Sequence, residues 1–188
     1  MFSKILVKLI DQSVIPAILL LTARIVSVVL ISRNLGIQYS LGASGFEFAS
    51  QSDYVLVNSY STLLMVVVLA LGLFYIILKS LVFHESHISP RLTAKLFSLR
   101  LPAFIQNSFE LFSQGVVWLS YLFLLMLVSG VMSLFDLMFS WVFYVSLVLS
   151  VVATSIIVLD VEKEVRLSDE AKEGSEGDIS LNYGDDYE

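Results

Sequence analysis

The stretch "LLTARIVSVVL" at residues 20–30 is apolar enough for a bilayer, yet Arg24 sits near its middle. A guanidinium stays charged at every physiological pH and carries five N–H donors in a planar fork. Inside hydrocarbon it costs roughly 2.5–3.5 kcal/mol on insertion scales, so it demands acceptors or water. The acid that answers it by sequence is Glu110. In "LPAFIQNSFELFSQG" the polar residues Gln106, Asn107, Glu110, Ser113 and Gln114 recur at three- and four-residue spacing. That spacing puts them on one helical face, with Tyr121 further along it. Ser13, Ala17, Arg24 and Ser27 share a second stripe of small and hydroxylated residues, the kind that helix contacts in lipid use. Helical side chains lean toward their own N-terminus, which tilts Arg24 toward the level of Glu110. The sequence thus predicts a buried Arg24–Glu110 pair supported by Gln106, Asn107 and Gln114. Such a cluster is either a packing element or the lining of a path for an ion or small polar solute.

Other chemistry is sparse. His84 and His87, the two histidines, lie together in "HESH". A protein zinc site takes three or four protein ligands, and the neighbourhood supplies no such set. The metalloprotease spacing H-E-x-x-H is absent, as are G-x-S-x-G and Walker-type loops. With no cysteine in the chain, disulfides and thiolate chemistry are excluded. The expectation is a protein without catalytic activity, metal or cofactor.

The elements that carry these residues are set by hydropathy. The chain is 57% hydrophobic and 15% charged, against roughly 45–50% and about 25% in soluble domains. A spanning helix needs about 20 mostly apolar residues. Residues 12–32, 54–78, 111–135 and 137–159 meet that condition, the first only if Arg24 is accepted inside it. Lipid offers no partner for backbone groups, so these spans are expected to be helices. The predicted fold class is all-α, a polytopic integral membrane protein of four transmembrane helices occupying residues 1–159. The apolar run past Arg24 and the lack of a small-x-small site after it argue for an uncleaved first helix.

Orientation follows the lysines and arginines. Lys4 and Lys8 precede the first span. Lys79, Arg91, Lys95 and Arg100 lie between the second and third, and Lys163 and Arg166 follow the fourth. The loop at 34–53 has none; only Arg33, beside it, disagrees. Both termini are therefore expected in the cytoplasm. Within the middle loop, Ser89 and Pro90 form a helix start. Leu92, Leu96 and Leu99 then mark one face, and Arg91, Lys95 and Arg100 give an interfacial helix at 90–100 its contacts with lipid headgroups.

The segment 160–188 holds eleven acidic and three basic residues, a net charge of −8, so the rest of the chain carries +2. It has few large apolar side chains. It is expected to be helical to about Lys172 and disordered beyond. The functional expectation is an accessory, scaffold or assembly subunit that engages a partner through its membrane body or tail. The alternative is a small oligomeric channel or transporter built on Arg24 and Glu110. Expected partners are membrane lipids and a protein, either another chain or a second copy; nothing points to nucleic acid. Small size and missing cysteines suggest a bacterial cytoplasmic membrane.

Overall fold

The computed structural model describes residues 2–43, 45–83, 89–99 and 108–181. Helix α1 runs from Phe2 to Leu35, α2 from Gln51 to Phe83, α3 from Pro90 to Ser98, α4 from Ser108 to Leu134 and α5 from Ser140 to Leu181. Four of these helices, α1, α2, α4 and α5, are long and apolar enough to cross a membrane. They expose side chains that water would not tolerate: Leu71 is 62% exposed, Phe74 57% and Leu127 61%. Facing lipid, such residues lose nothing, so what holds the helices together is close packing and hydrogen bonding.

The helix ends are chemically specified. Ser50 caps α2: its Oγ accepts the Asp53 N–H at 3.1 Å, and its carbonyl accepts the Tyr54 N–H. Asp53, at the third helical position, puts a negative charge by the positive helix end. The end of α1 is a Schellman turn. Gly36 takes φ +67°, the Ile37 N–H reaches the Ser32 carbonyl at 2.9 Å, and the Gly36 N–H reaches that of Arg33 at 3.4 Å. The end of α4 repeats the motif, with the Leu137 N–H on the Met132 carbonyl at 2.9 Å. Here Asp136, not glycine, sits at φ 55°.

The pairing pattern fixes the bundle. Ser80 bonds Asp160, and Ser59 accepts the Phe139 N–H; both pairs are 80 residues apart, so α2 and α5 run parallel. Lys8 with Glu110 and Tyr121 with the Ser13 carbonyl make α1 and α4 parallel as well. The two sets run in opposite directions. One end of the bundle holds Lys8, Ser80, Glu110 and Asp160, here called the basal end. The opposite end holds the α1–α2 and α4–α5 connections. Leu20, Val66, Leu69, Leu73, Leu122, Leu125 and Ala153 form the core. Small residues permit the closest approaches. Ser129 Oγ lies 3.1 Å from Ser146 Oγ across α4–α5. A Cβ at Gly72 would land inside the indole of Trp118, so α2 meets α4 through a glycine.

The loop at 34–53, where the sequence reading assigns no strand, contains a β-hairpin. Strand β1, Tyr39–Gly42, pairs antiparallel with β2, Gly45–Phe48, with Tyr39 opposite Phe48 and Leu41 opposite Phe46. Side chains alternate along a strand, so these four share one face. Tyr39 meets Phe46 edge-on at 5.7 Å, and Phe48 meets Tyr54 of α2 at 6.1 Å. Aromatic residues favour the zone between lipid and water, which suits a hairpin at a bundle mouth.

One further expectation changes. The tail was expected to lose its helix near Lys172, but α5 continues to Leu181. The membrane span supplies a formed helix, so each added residue needs only propagation, without the cost of nucleation. An Arg166–Glu162 pair at i,i+4 supports the first turns beyond the span. Residues expected to form a short helix in the middle loop do so as α3, whose first turn is closed by the Thr93 N–H on the Ser89 carbonyl. Leu96 is buried there while Arg91 and Lys95 are exposed.

Candidate functional site

Arg24 is half-buried on α1, facing α2. Its Nη2 donates to Asn58 Oδ1 at 2.8 Å, and its Nη1 donates to Ser61 Oγ at 2.8 Å and toward the Asn58 carbonyl at 3.5 Å. Ser27 Oγ, one turn along α1, lies 2.9 Å from the same Ser61 Oγ. Every one of these acceptors is neutral. They fall on one face of α2 because residues 58 and 61 are three apart.

Asn58 carries the connection further. With Oδ1 fixed as acceptor by the guanidinium, Nδ2 points the other way. It donates to the Leu137 carbonyl at 2.9 Å and contacts Met132 Sδ at 3.3 Å. Ser59, the next residue, accepts the Phe139 N–H at 2.8 Å. The charge on Arg24 polarises the Asn58 amide, which strengthens its second hydrogen bond. One continuous network thus joins α1, α2 and the turn between α4 and α5. Ser59, Asn58, Ser61 and Ser27 are all buried.

Glu110 is not the partner of Arg24. It accepts from Lys8 Nζ at 2.7 Å in a pair that is partly exposed on both sides. Lys8 precedes Arg24 by about 24 Å along α1, at about 1.5 Å per residue. An arginine side chain does not bridge that distance. The expected depth placed the first span at 12–32, whereas α1 begins at Phe2 and so presents Lys8 at the level of Glu110. Gln114 is half-buried one turn along α4 from Glu110, at that same basal level. Gln106, Asn107 and Arg100, together with His84 and His87, lie outside the described residues. Of the expected cluster, then, Arg24 is drawn into a different site and Glu110 closes a surface ion pair.

Asn58, Ser59 and Ser61 were missed by a reading that sought an opposite charge. The signal was present: "YVLVNSYST" places an amide and hydroxyls in an otherwise apolar span.

Among the described residues, two buried side-chain polar atoms have no hydrogen-bond partner, Gln12 Oε1 on α1 and Ser32 Oγ near its end. Among the cavities that open on the described bundle, three are lined by described residues throughout. One, about 260 Å³, is lined by Ile76, Leu111, Gly115 and Ile157 with Ser80, Asp160 and Lys163 at one end. A second, about 230 Å³, continues along α2 and α5 and is wholly apolar. The third lies between α1 and α2 near Asn34 and Tyr60. Arg24 lines none of the three. Comparison with protein-family models, curated proteins and solved structures gives no match, so the reading rests on this geometry.

Proposed function

We propose that the chain is a non-catalytic integral membrane protein, an accessory or assembly subunit that engages a protein partner through its membrane body or its acidic tail. The observation that carries this reading is the use of Arg24. Its hydrogen bonds go to neutral groups, Asn58 and Ser61, and through Asn58 they clamp three elements together. A conducting path would instead keep the guanidinium in contact with a polar, hydrated lumen. In this reading the basal end faces the cytoplasm. Lys8, Lys79 and Lys163 lie there, and Arg91 and Lys95 of α3 contact anionic headgroups. Arg33 is the exception at the other end. A bacterial cytoplasmic membrane suits the small, cysteine-free chain.

The test is affinity purification of the full chain beside a truncation after Ala171. Under this reading a discrete partner accompanies the full chain, and the truncated chain remains inserted and monodisperse. If neither form brings a partner, and the purified protein passes ions or small solutes into liposomes in a way that Arg24→Met abolishes, the channel reading replaces this one. Maleimide labelling of Ala43→Cys from outside intact cells tests the orientation; labelling only after permeabilisation would reverse it.

A further inference from the structure

The two cavities flanking α5 form one groove. They share Ile77 on α2 and Ile156 on α5, so the second continues where the first stops. From Ser80 to Ala70 along α2, and from Asp160 to Leu149 along α5, the groove extends about 15 Å at 1.5 Å per residue. That is half of a hydrocarbon core about 30 Å thick, the depth of one leaflet. Its level is also defined. Asp160 lies about 30 Å along α5 from Ser140, which puts it at the boundary between hydrocarbon and headgroups. Gly115 widens the floor, where a Cβ would meet Ile157 Cδ1 at 3.6 Å.

The mouth is not apolar. Ser80 Oγ donates to Asp160 Oδ2, leaving Oδ1 for another donor. Lys163 follows at i+3, on the same face of α5, and is exposed. Two neighbouring pairs are already matched, Lys8 with Glu110 and Arg166 with Glu162. Asp160 and Lys163 do not pair with each other in this arrangement. A carboxylate and an ammonium at the headgroup level, above an apolar slot one leaflet deep, complement a zwitterion with one long tail in the slot. A purely anionic headgroup would meet Asp160 unfavourably. A quaternary ammonium would give Asp160 charge but no N–H.

We propose that this groove binds one aminophospholipid, with an acyl chain between α2 and α5, its primary ammonium on Asp160 and its phosphate on Lys163. The proposal does not depend on the functional reading above. The experiment uses the full chain in detergent, delipidated and then incubated with an equimolar mixture of phosphatidylethanolamine, phosphatidylcholine and phosphatidylglycerol of identical chains. Native mass spectrometry counts what stays bound. The expected result is a single saturating adduct that favours phosphatidylethanolamine by about fivefold or more, the worth of roughly 1 kcal/mol. Asp160→Asn keeps an acceptor for Ser80 but removes the charge; it should erase the preference over phosphatidylcholine. Lys163→Gln should lower retention of phosphatidylethanolamine. Both changes are at the rim, so the fold survives, with circular dichroism as the check. Gly115→Leu fills the groove and should remove the adduct. Equal retention of the three lipids, preference for phosphatidylglycerol, a graded series of adducts without a saturating first one, or a preference that survives Asp160→Asn would each overturn the proposal.

Discussion

Replacing Asn58 by leucine, which keeps its branching and its number of side-chain heavy atoms but none of its polar ones, should harm the bundle more than removing the charge that Asn58 serves. Asn58→Leu deletes two bonds: the charged one from Arg24 Nη2 at 2.8 Å and the neutral one to the Leu137 carbonyl at 2.9 Å. A neutral side-chain hydrogen bond in a membrane protein is worth about 0.6 kcal/mol on average. A charged one is worth roughly double. Asn58→Leu should therefore cost about 2 kcal/mol and leave a guanidinium short of an acceptor. Arg24→Met loses two charged bonds but also removes a group whose insertion costs about 2.5–3.5 kcal/mol, so its net effect should stay within about 1 kcal/mol. In the double variant, Asn58→Leu then costs only the bond to Leu137. The coupling between the two positions should be about 1.2 kcal/mol. The assay is titration with SDS in mixed micelles, with unfolding followed by the fluorescence of Trp118 and Trp141. A coupling under about 0.3 kcal/mol, within ordinary additivity, would refute the clamp. So would an Arg24→Met variant less stable than Asn58→Leu. The matching cycle on Arg24 and Glu110 should show no coupling.

Other sites give sharper yes-or-no results. Gly72→Ala puts a methyl into the Trp118 indole and should destabilise by about 1–3 kcal/mol, with recovery when Trp118→Leu is added; equal stability to the parent would mean the helices do not meet there. Asp136→Val forces a β-branched residue into left-handed backbone and should cost about 1–2 kcal/mol, while Asp136→Gly should be tolerated, both read by the same SDS titration. Gln12→Leu replaces a buried, unpaired amide oxygen and should raise stability by about 1 kcal/mol; a loss would show that this oxygen has a partner in the membrane.

The spans were legible because a helix in lipid announces itself by length and hydropathy. The partner of Arg24 was not, because the residues that satisfy a buried charge need not be charged. Asn58 and Ser61 form no motif; only the α1–α2 register brings them to Arg24. Register also explains the miss at Glu110. A few residues of error in where α1 begins shift every depth on it, and Lys8 was the residue that occupied the matching level. The β-hairpin did leave a mark, apolar residues alternating at 39, 41, 46 and 48 around Gly42 and Gly45. Short strands at a membrane surface, though, carry too few residues for periodicity to separate them from a loop. The length of α5 beyond the membrane was hidden for the opposite reason. Composition speaks for a segment alone, whereas this one begins on a helix already made.

The order in which the ribosome delivers the Arg24 clamp has its own consequence. The acceptors Asn58 and Ser61 lie 34 and 37 residues after the arginine, on the very next helix. Glu110 is synthesised far later. Were α1 and α2 to enter the bilayer as a hairpin, the guanidinium would meet its acceptors before the second half of the bundle is made. On that route the nascent chain would not hold a bare cation in lipid while it waits for a distant carboxylate. When the α4–α5 turn arrives, Asn58 still has an amide N–H to offer Leu137, so the first hairpin, once closed, presents a ready docking point to the second. Biogenesis by this route requires that a chain stopped after α2 insert stably with Arg24 in place, and that Asn58→Leu weaken that insertion.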